Sequence, residues 1–396
     1  MIRSRFSEKI YYPILIASVC SVLISLFLLE LFFVLLTILW LCEKFEDKKK
    51  SFDIFHAAVL MFGFFRILSI FFSQYPSVSY QSFYKNALFY LSFFSMSYYF
   101  KVIGYKKIKM VLQYFFLAAI FTAVVGIIKF DLSLADRASS FSSGYSTYSS
   151  YLLVAFSIFI FIPVSTVGKY KTLIKITGLS LMLTGIIVSL GRMNIFIAVL
   201  VLGFSFLLRK IDWKIAGVVV LLTILFSVGS FQLNFAGVDK RIEQPATLSD
   251  RDVIMHGAED IFLKFEKPIL GYGPRTFHQV FPYENQLADK GVGSWHNDFI
   301  QMYFESGFLG LVSFLALLFI VLYYSYKLFR SQQNPDMKNL IWAILIGTVA
   351  LILSSLTAGF IDSPVLSVLF ALLVALVSGI KYVFIEEKTH PESVQY

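Results

Sequence analysis

The sequence is poor in charged residues and in cysteine, and each shortage excludes a class of protein. Only 15% of its 396 residues are Asp, Glu, Lys or Arg, whereas 58% are apolar. A soluble globular domain has about 25% charged and about 45–50% apolar residues, so a soluble core and a disordered chain are both excluded. The two cysteines, Cys20 and Cys42, lie in apolar runs, which excludes a disulfide framework and a cysteine-rich metal site.

The usual catalytic and cofactor motifs are absent as well. The sequence has no His-Glu-x-x-His, Cys-x-x-Cys, Walker loop, Gly-x-Ser-x-Gly or dinucleotide fingerprint. Asp250-Arg251-Asp252 has the Asp-x-Asp spacing of metal sites in nucleotide-sugar enzymes, but the intervening arginine and a position at a helix start favour helix capping. We therefore expect neither a metal nor a cofactor.

Long apolar runs are what the sequence has instead. A transmembrane helix needs about 20 apolar residues, and the runs predict an all-α polytopic membrane protein with about twelve such helices. Tyr11–Cys42 is long enough for a hairpin of two spans with a tight turn near Glu30. The other predicted spans are Phe52–Phe72, Ala87–Phe100, Met110–Ile128, Tyr151–Val167, Ile174–Leu190, Ile195–Leu208, Ile215–Ser230, Phe299–Tyr326, Leu340–Phe360 and Val365–Phe384.

The net charge of +9 reflects topology. Most of the 34 basic residues fall in alternate connections between the spans, and short loops rich in Lys and Arg stay in the cytoplasm. This pattern predicts that both termini are cytoplasmic. Because the positive charge is explained in this way, nucleic acid is not expected as a partner, whereas membrane lipids are.

One long hydrophilic segment divides the chain into three parts. Residues 1–230 contain nine predicted spans, residues 231–298 form a large external loop, and residues 299–396 contain three spans and a cytoplasmic tail. Within the loop, Ser249 has the character of a helix N-cap, and Ile254, Ala258, Ile261, Phe262 and Phe265 recur at helical spacing. The loop is therefore predicted to carry an amphipathic helix of about four turns on the outer membrane surface.

Several arginines are predicted at or near the outer surface. A guanidinium group binds phosphate oxygens bidentately and stays charged, so a converging group of arginines suits a lipid-linked phosphate or pyrophosphate. Other roles are open to them: pairing with carboxylates, pairing with a neighbouring helix, or anchoring a turn at the interface. These residues are Arg66, Arg137, Arg192, Arg241, Arg251 and Arg275.

His296 stands in a Trp-His-Asn-Asp setting at the start of a long span. Its imidazole suits a general base that accepts the proton of a sugar hydroxyl, and on position alone it also suits a helix-capping or interfacial histidine. Asp298 and Glu305 lie on one face of the following helix and are placed to orient His296 or to balance an arginine. Asn297 is included with them as a candidate substrate-binding residue.

The stretch Pro268-Ile269-Leu270-Gly271-Tyr272-Gly273, followed by His296-Asn297 and by Gly307-Phe308-Leu309-Gly310, resembles the O-antigen ligase (WaaL) and O-antigen polymerase (Wzy) superfamily, and the ligases more closely. The resemblance covers most of residues 185–312. It implies a GT-C-like glycosyltransferase of the bacterial inner membrane, metal-independent, with its active site on the periplasmic side.

The resemblance also implies substrates and roles. The donor would be an undecaprenyl-pyrophosphate-linked glycan, and in a ligase the acceptor would be a sugar hydroxyl of the lipid A core. Arg192 and Arg251 would hold the pyrophosphate and His296 would activate the acceptor. The side-chain chemistry described above, rather than the resemblance, adds five candidates for substrate binding: Arg66, Arg137, Arg275, Asn297 and Glu305. Arg192 is followed by Met-Asn-Ile-Phe, whereas ligases often have Arg-x-x-x-Leu there. A Wzy-type polymerase is the alternative. A transporter or flippase is disfavoured because the polar residues gather at one surface.

Overall fold

The computed structural model describes residues 2–141, 144–163, 170–235, 239, 251–264, 267–287 and 293–389, and the regular structure in these ranges is helical. The first ten helices are α1 Glu8–Ile24, α2 Leu26–Leu41, α3 Phe45–Ser51, α4 Ile54–Phe71, α5 Pro76–Ser79, α6 Gln81–Asp131, α7 Tyr145–Phe159, α8 Lys171–Val188, α9 Arg192–Leu207 and α10 Trp213–Leu233. The later ones are α11 Arg251–Leu263, α12 Phe277–Val280, α13 Asp298–Ser331, α14 Pro335–Ser354 and α15 Pro364–Thr389.

Seven helical stretches in the described ranges are long and apolar enough to cross a bilayer. They are α4, α5 together with α6, α8, α10, α13, α14 and α15. The shorter α1, α2, α7 and α9 fall on four of the other predicted spans, and Gly104 breaks α6 between the predicted spans Ala87–Phe100 and Met110–Ile128. The chain is thus an all-helical polytopic membrane protein, and the number twelve stays a prediction.

The predicted turn near Glu30 is in the wrong place. α1 and α2 are separated at Ser25, whose extended backbone (φ −157°, ψ 136°) interrupts the helical hydrogen bonds, while Glu30 lies inside α2. The apolar composition of Tyr11–Cys42 predicted the hairpin, but it did not indicate whether the turn lies at Ser25 or at Glu30. The two helices then pack against each other.

The long helices pack in pairs around one apolar core: α6 with α15, α4 with α13, α7 with α14, and α8 with α10. Polar interactions gather at the two ends of the bundle. At one end, Lys101 pairs with Asp53 (2.9 Å) and Lys109 with Asp336 (3.1 Å). At the other end α8 stops and α9 and α13 begin, and we call this the site end.

The predicted amphipathic helix is confirmed as α11, but its apolar face packs on protein. Ile254, Ala258 and Ile261 are buried in a second cluster with Phe277, Phe281, Leu287, Trp295 and Phe304. A Cβ atom at Gly257 would lie 2.3 Å from the Phe281 ring, so the helix approaches this cluster closely. Aromatic residues of the segment 231–298 and of α13 therefore cover the face that the sequence assigned to a membrane-surface helix. Ser249 and Phe265 lie outside the described residues.

A backbone interlock joins residues 268–273 to α13. Gly307 (φ 65°, ψ −167°) breaks the helix, and the Phe308 N–H donates to Pro268 O (2.7 Å). In return, the N–H groups of Tyr272 and Gly273 donate to the carbonyls of Phe304 (2.8 Å) and Glu305 (3.0 Å). The Gly-Tyr-Gly and Gly-x-x-Gly motifs thus fold against each other, and they fix the loop that follows α11 to the helix that follows His296.

Candidate active site

Three of the predicted arginines line one cleft at the site end. Arg137, Arg192 and Arg251 come from distant parts of the chain and surround about 410 Å³ of empty space, part of it open to solvent. Tyr145, Ser146 and Ser149 of α7 and Thr357 and Ala358 complete much of the lining. The fold therefore gathers three positive charges that the sequence spreads over residues 137–251.

Helix ends add to the positive potential of this cleft. Arg192 is the first residue of α9, Arg251 the first described residue of α11, and Tyr145 the first residue of α7. A helix N-terminus presents unpaired N–H groups and a partial positive charge, which favours an anion. None of the described residues that line the cleft is acidic. The arrangement suits a phosphate or pyrophosphate group.

Arg137 both lines the cleft and shapes it. Its Nε donates to Ser189 O (3.0 Å) and its Nη2 to Leu190 O (2.9 Å), so it satisfies carbonyls at the end of α8. The guanidinium also stacks over the Tyr145 ring, 3.2 Å from its centroid. Leu190 has a positive φ of 56°, which is uncommon outside glycine, and Arg137 holds this turn directly before Gly191 and Arg192.

Asn194 is a residue that sequence reasoning missed. It is buried, and its Nδ2 donates to Ser149 Oγ (2.7 Å) and Ser150 Oγ (3.1 Å) while its Oδ1 accepts from Ser354 Oγ (2.7 Å). This network ties α7, α9 and α14 together beneath Arg192. The serine-rich run before residue 150 was the available signal, because serines in such a run can pair with a buried amide.

The loop that joins α14 to α15 was also missed, although it connects the parts of the site. Thr357 O accepts from Arg251 Nη2 (2.6 Å), and Leu356 O accepts from Asn297 Nδ2 (3.3 Å). The buried Asp298 carboxylate accepts from the N–H groups of Phe360 (2.8 Å) and Ile361 (3.3 Å). Residues 355–362 thus hold Arg251 and the start of α13 in one place.

His296 lies immediately before the N-cap of α13. Asn297 caps the helix, since its Oδ1 accepts from the N–H groups of Phe299 and Ile300, and Asp298 is anchored to the loop 355–362. His296 itself has a φ of 50°, an uncommon conformation for a non-glycine residue. Burial, together with the positive charge of nearby Arg251, lowers the pKa of His296 below its ordinary value of 6.5. The imidazole is therefore neutral at pH 7 and able to accept a proton.

Two further predicted residues, Arg66 and Glu305, lie together away from the cleft. Arg66 is 2% exposed, and it pairs with Glu305 (2.9 Å) and Asp362 (3.3 Å). Gln301 Nε2 also donates to Glu305 (3.1 Å). Of the roles that the sequence left open for Arg66, the structure therefore shows pairing with a neighbouring helix. Arg275 has a φ of 64°, and its backbone hydrogen-bonds the Glu305 carboxylate, so it too stands outside the cleft lining. Arg241 lies outside the described residues.

The comparison with known families matches this part of the chain. Residues 177–315 match the model of the O-antigen ligase family, which confirms the resemblance seen in the motifs. The matched range includes Arg192, Arg251, His296 and Glu305, whereas Arg66, Arg137 and the loop 355–362 lie outside it. A search of the curated proteins gives no match.

Proposed function

We propose that this protein is an O-antigen ligase, which transfers a glycan from undecaprenyl pyrophosphate to a sugar hydroxyl of the lipid A core. The observation that carries the proposal is the cleft with Arg137, Arg192 and Arg251 beside a neutral His296, within a region that matches the O-antigen ligase family. Three fixed cations suit a pyrophosphate, and a neutral imidazole suits the activation of a hydroxyl.

The reaction follows from these two features. The acceptor oxygen forms a bond to the anomeric carbon of the donor glycan, and the bond from that carbon to the pyrophosphate oxygen breaks. The hydroxyl proton passes to the neutral nitrogen of His296. The pyrophosphate leaves on its undecaprenyl chain with increased negative charge, which the arginines and helix N-termini stabilise. These steps use no metal.

The proposal includes a membrane arrangement. We propose twelve spans in a GT-C-like fold, with both termini in the cytoplasm of a bacterium and the site end on the periplasmic side of the inner membrane. The support is the distribution of basic residues, together with the separation of Lys101 and Lys109 from the cleft. Lipid-linked donor and lipid A core acceptor would then meet at one membrane surface.

Alanine substitutions test the proposed site. Arg192→Ala, Arg251→Ala and His296→Ala should each lower transfer by about 10²-fold or more, because each removes a stabilising charge or the base. The measurement is the attachment of long glycan to core in a ligase-null strain, read on gels. Arg330→Ala, at an exposed position near the end of α13, is the matched control and should retain activity. Full attachment by all three site variants would contradict the proposal.

Strain complementation separates ligase from polymerase. A ligase restores attachment of lipid-linked polymer to core, whereas a polymerase restores chain length in a strain whose core carries one repeat. We expect rescue of the ligase-null strain only. Rescue of the polymerase-null strain would assign the same site to an acceptor that is itself lipid-linked.

A further inference from the structure

A second groove lies between the outward side of α11 and the start of α13, and we call it the α11–α13 groove. It encloses about 1220 Å³ of empty space, including space open to solvent. Its α11 wall is formed by the buried Ala258 and by five exposed residues, Asp252, Met255, His256, Glu259 and Phe262. The exposed residues recur at helical spacing, so they form the face opposite to the one that packs on the aromatic cluster.

The α13 wall of the groove is aromatic. Phe299, Tyr303 and Phe304 line it with Ile300 between them. Tyr303 also meets Phe262 across the groove, with 5.7 Å between ring centroids, so the two walls converge there. The α11–α13 groove therefore has aromatic rings on its α13 wall and ionisable side chains on its α11 wall.

The charge of the groove is opposite to that of the cleft. Arginines line the cleft, whereas the described lining of the α11–α13 groove includes two carboxylates, Asp252 and Glu259, and no Lys or Arg. These carboxylates repel a pyrophosphate. A hydrocarbon chain in the groove would take both of them out of water without providing a hydrogen bond, which is costly.

A sugar ring matches both walls. Its hydroxyl groups donate to carboxylates, and its C–H face packs on aromatic rings, which present a large apolar surface. The groove also begins where the proposed chemistry takes place. Asp252 directly follows Arg251, and Phe299 comes three residues after His296. The groove residues are therefore close neighbours along the chain of Arg251 and His296.

We propose that the α11–α13 groove binds an uncharged sugar ring of the acceptor glycan. Glu259 accepts hydrogen bonds from its hydroxyls, and Phe299 and Tyr303 pack against its C–H face. This inference rests on the proposed transferase function, since it assigns to the same site the place of the second substrate.

Two groove variants test the inference, each with a control on the same external segment. Glu259→Gln removes one charge at constant shape, and Phe262→Ala removes an aromatic ring that is 61% exposed. The controls are Glu284→Gln and Leu263→Ala, since neither residue lines the groove. Purified protein in nanodiscs is assayed with the acceptor and donor concentrations varied separately. In a second experiment, without donor, saturation-transfer NMR measures the binding of a probe, the deacylated core oligosaccharide of the host strain.

The expected result is a rise of about tenfold in the KM for acceptor in Glu259→Gln, with the KM for donor unchanged, because a hydrogen bond to a charged carboxylate is replaced by a weaker one to a neutral amide. Saturation transfer to the oligosaccharide should weaken in both groove variants and persist in both controls. A rise in the KM for donor instead would place the isoprenoid or the donor glycan in the groove and overturn the inference.

The proposed function can fail separately. If the wild type transfers no glycan, the NMR experiment alone decides whether the groove binds a sugar. Saturation transfer that disappears in Glu259→Gln upholds the sugar site, and saturation transfer that is the same in groove variants and controls overturns it.

Discussion

At the scale of single residues, the site depends on an arginine and a histidine that influence each other. Arg251 donates to Thr357 O (2.6 Å), which fixes its guanidinium, and its charge lowers the pKa of His296 in addition to the larger effect of burial. A base must be unprotonated to act, so a lowered pKa extends the range in which His296 works toward acid pH. In the proposed reaction, the same cation would bind the pyrophosphate and help to keep the base neutral.

A pH profile tests this coupling. In the wild type, the acid limb of kcat/KM should have its midpoint below pH 6.5, the ordinary pKa of histidine. Arg251→Gln should move that midpoint to higher pH as well as lower the rate, because the positive charge no longer disfavours the imidazolium. The measurement is residual transfer by the purified variant from pH 5 to 8, a range in which histidine titrates.

Arg251→Lys is the control for the pH experiment. It keeps the positive charge but loses the planar fork, so the rate should fall while the acid limb stays near that of the wild type. An acid limb that is the same in Arg251→Gln and in the wild type would show that Arg251 does not act on the base.

At the scale of elements, the interlock between residues 268–273 and α13 fixes the helix that follows His296. The helix breaks at Gly307 in a region of φ and ψ that is essentially restricted to glycine. A Cβ atom there would lie 2.3 Å from the carbonyl carbon and oxygen of Ile269, and neither can move without displacing the loop backbone. In the sequence, the Gly-x-x-Gly motif at Gly307 looks like a pair of small residues that lets two helices pack closely. In the structure, Gly307 is instead the position at which the loop containing Ile269 packs against the backbone of α13.

Gly307→Ala should therefore destabilise the protein. The disfavoured backbone conformation alone costs about 1–3 kcal/mol, and the contact with Ile269 adds to it. We expect a lower yield of folded protein and a lower midpoint of thermal unfolding in detergent. Gly203→Ala in α9 is the matched control, because nothing lies within 4 Å of its Cβ position, and it should unfold no earlier than the wild type. Equal stability of the two variants would contradict the interlock.

At the scale of the whole molecule, the ion pair of Arg66 joins three parts of the fold. Arg66 of α4 meets Glu305 of α13 and Asp362 of the loop 355–362, and that loop in turn holds Arg251 and Asp298. Removing one partner of a buried pair leaves an uncompensated charge, which is far more costly than the loss of an exposed pair. The arrangement links the helix bundle to the cleft.

Arg66→Met should lower the free energy of unfolding by about 3–5 kcal/mol, since Glu305 and Asp362 lose their cation. Adding Glu305→Gln to this variant should restore part of the stability, because fewer buried negative charges remain. Thermal unfolding in detergent measures both effects, with Arg330→Met as the exposed control. Should Arg66→Met unfold like the wild type and raise only the KM for donor, Arg66 would instead bind substrate, as the sequence alone suggested.

The sequence by itself determined the class of protein and most helices, and it marked candidate residues for the site. Apolar runs predict helices because a bilayer demands length and hydropathy, both of which are local properties. Side-chain chemistry together with the family resemblance marked Arg192, Arg251 and His296 without knowledge of their positions. The amphipathic pattern of α11 was equally readable, since its period of three to four residues is local.

Only the tertiary structure decided which of these residues meet. In the sequence, Arg66 and Arg137 are both candidates for substrate binding. In the structure, Arg66 is buried against Glu305, whereas Arg137 lines the cleft with Arg192 and Arg251. The loop 355–362 and Asn194 gained their roles through contacts across more than a hundred residues. Such contacts depend on how helices pack against one another. The sequence of a single helix determines which of its residues share a face, but it does not determine which other helix or loop that face contacts.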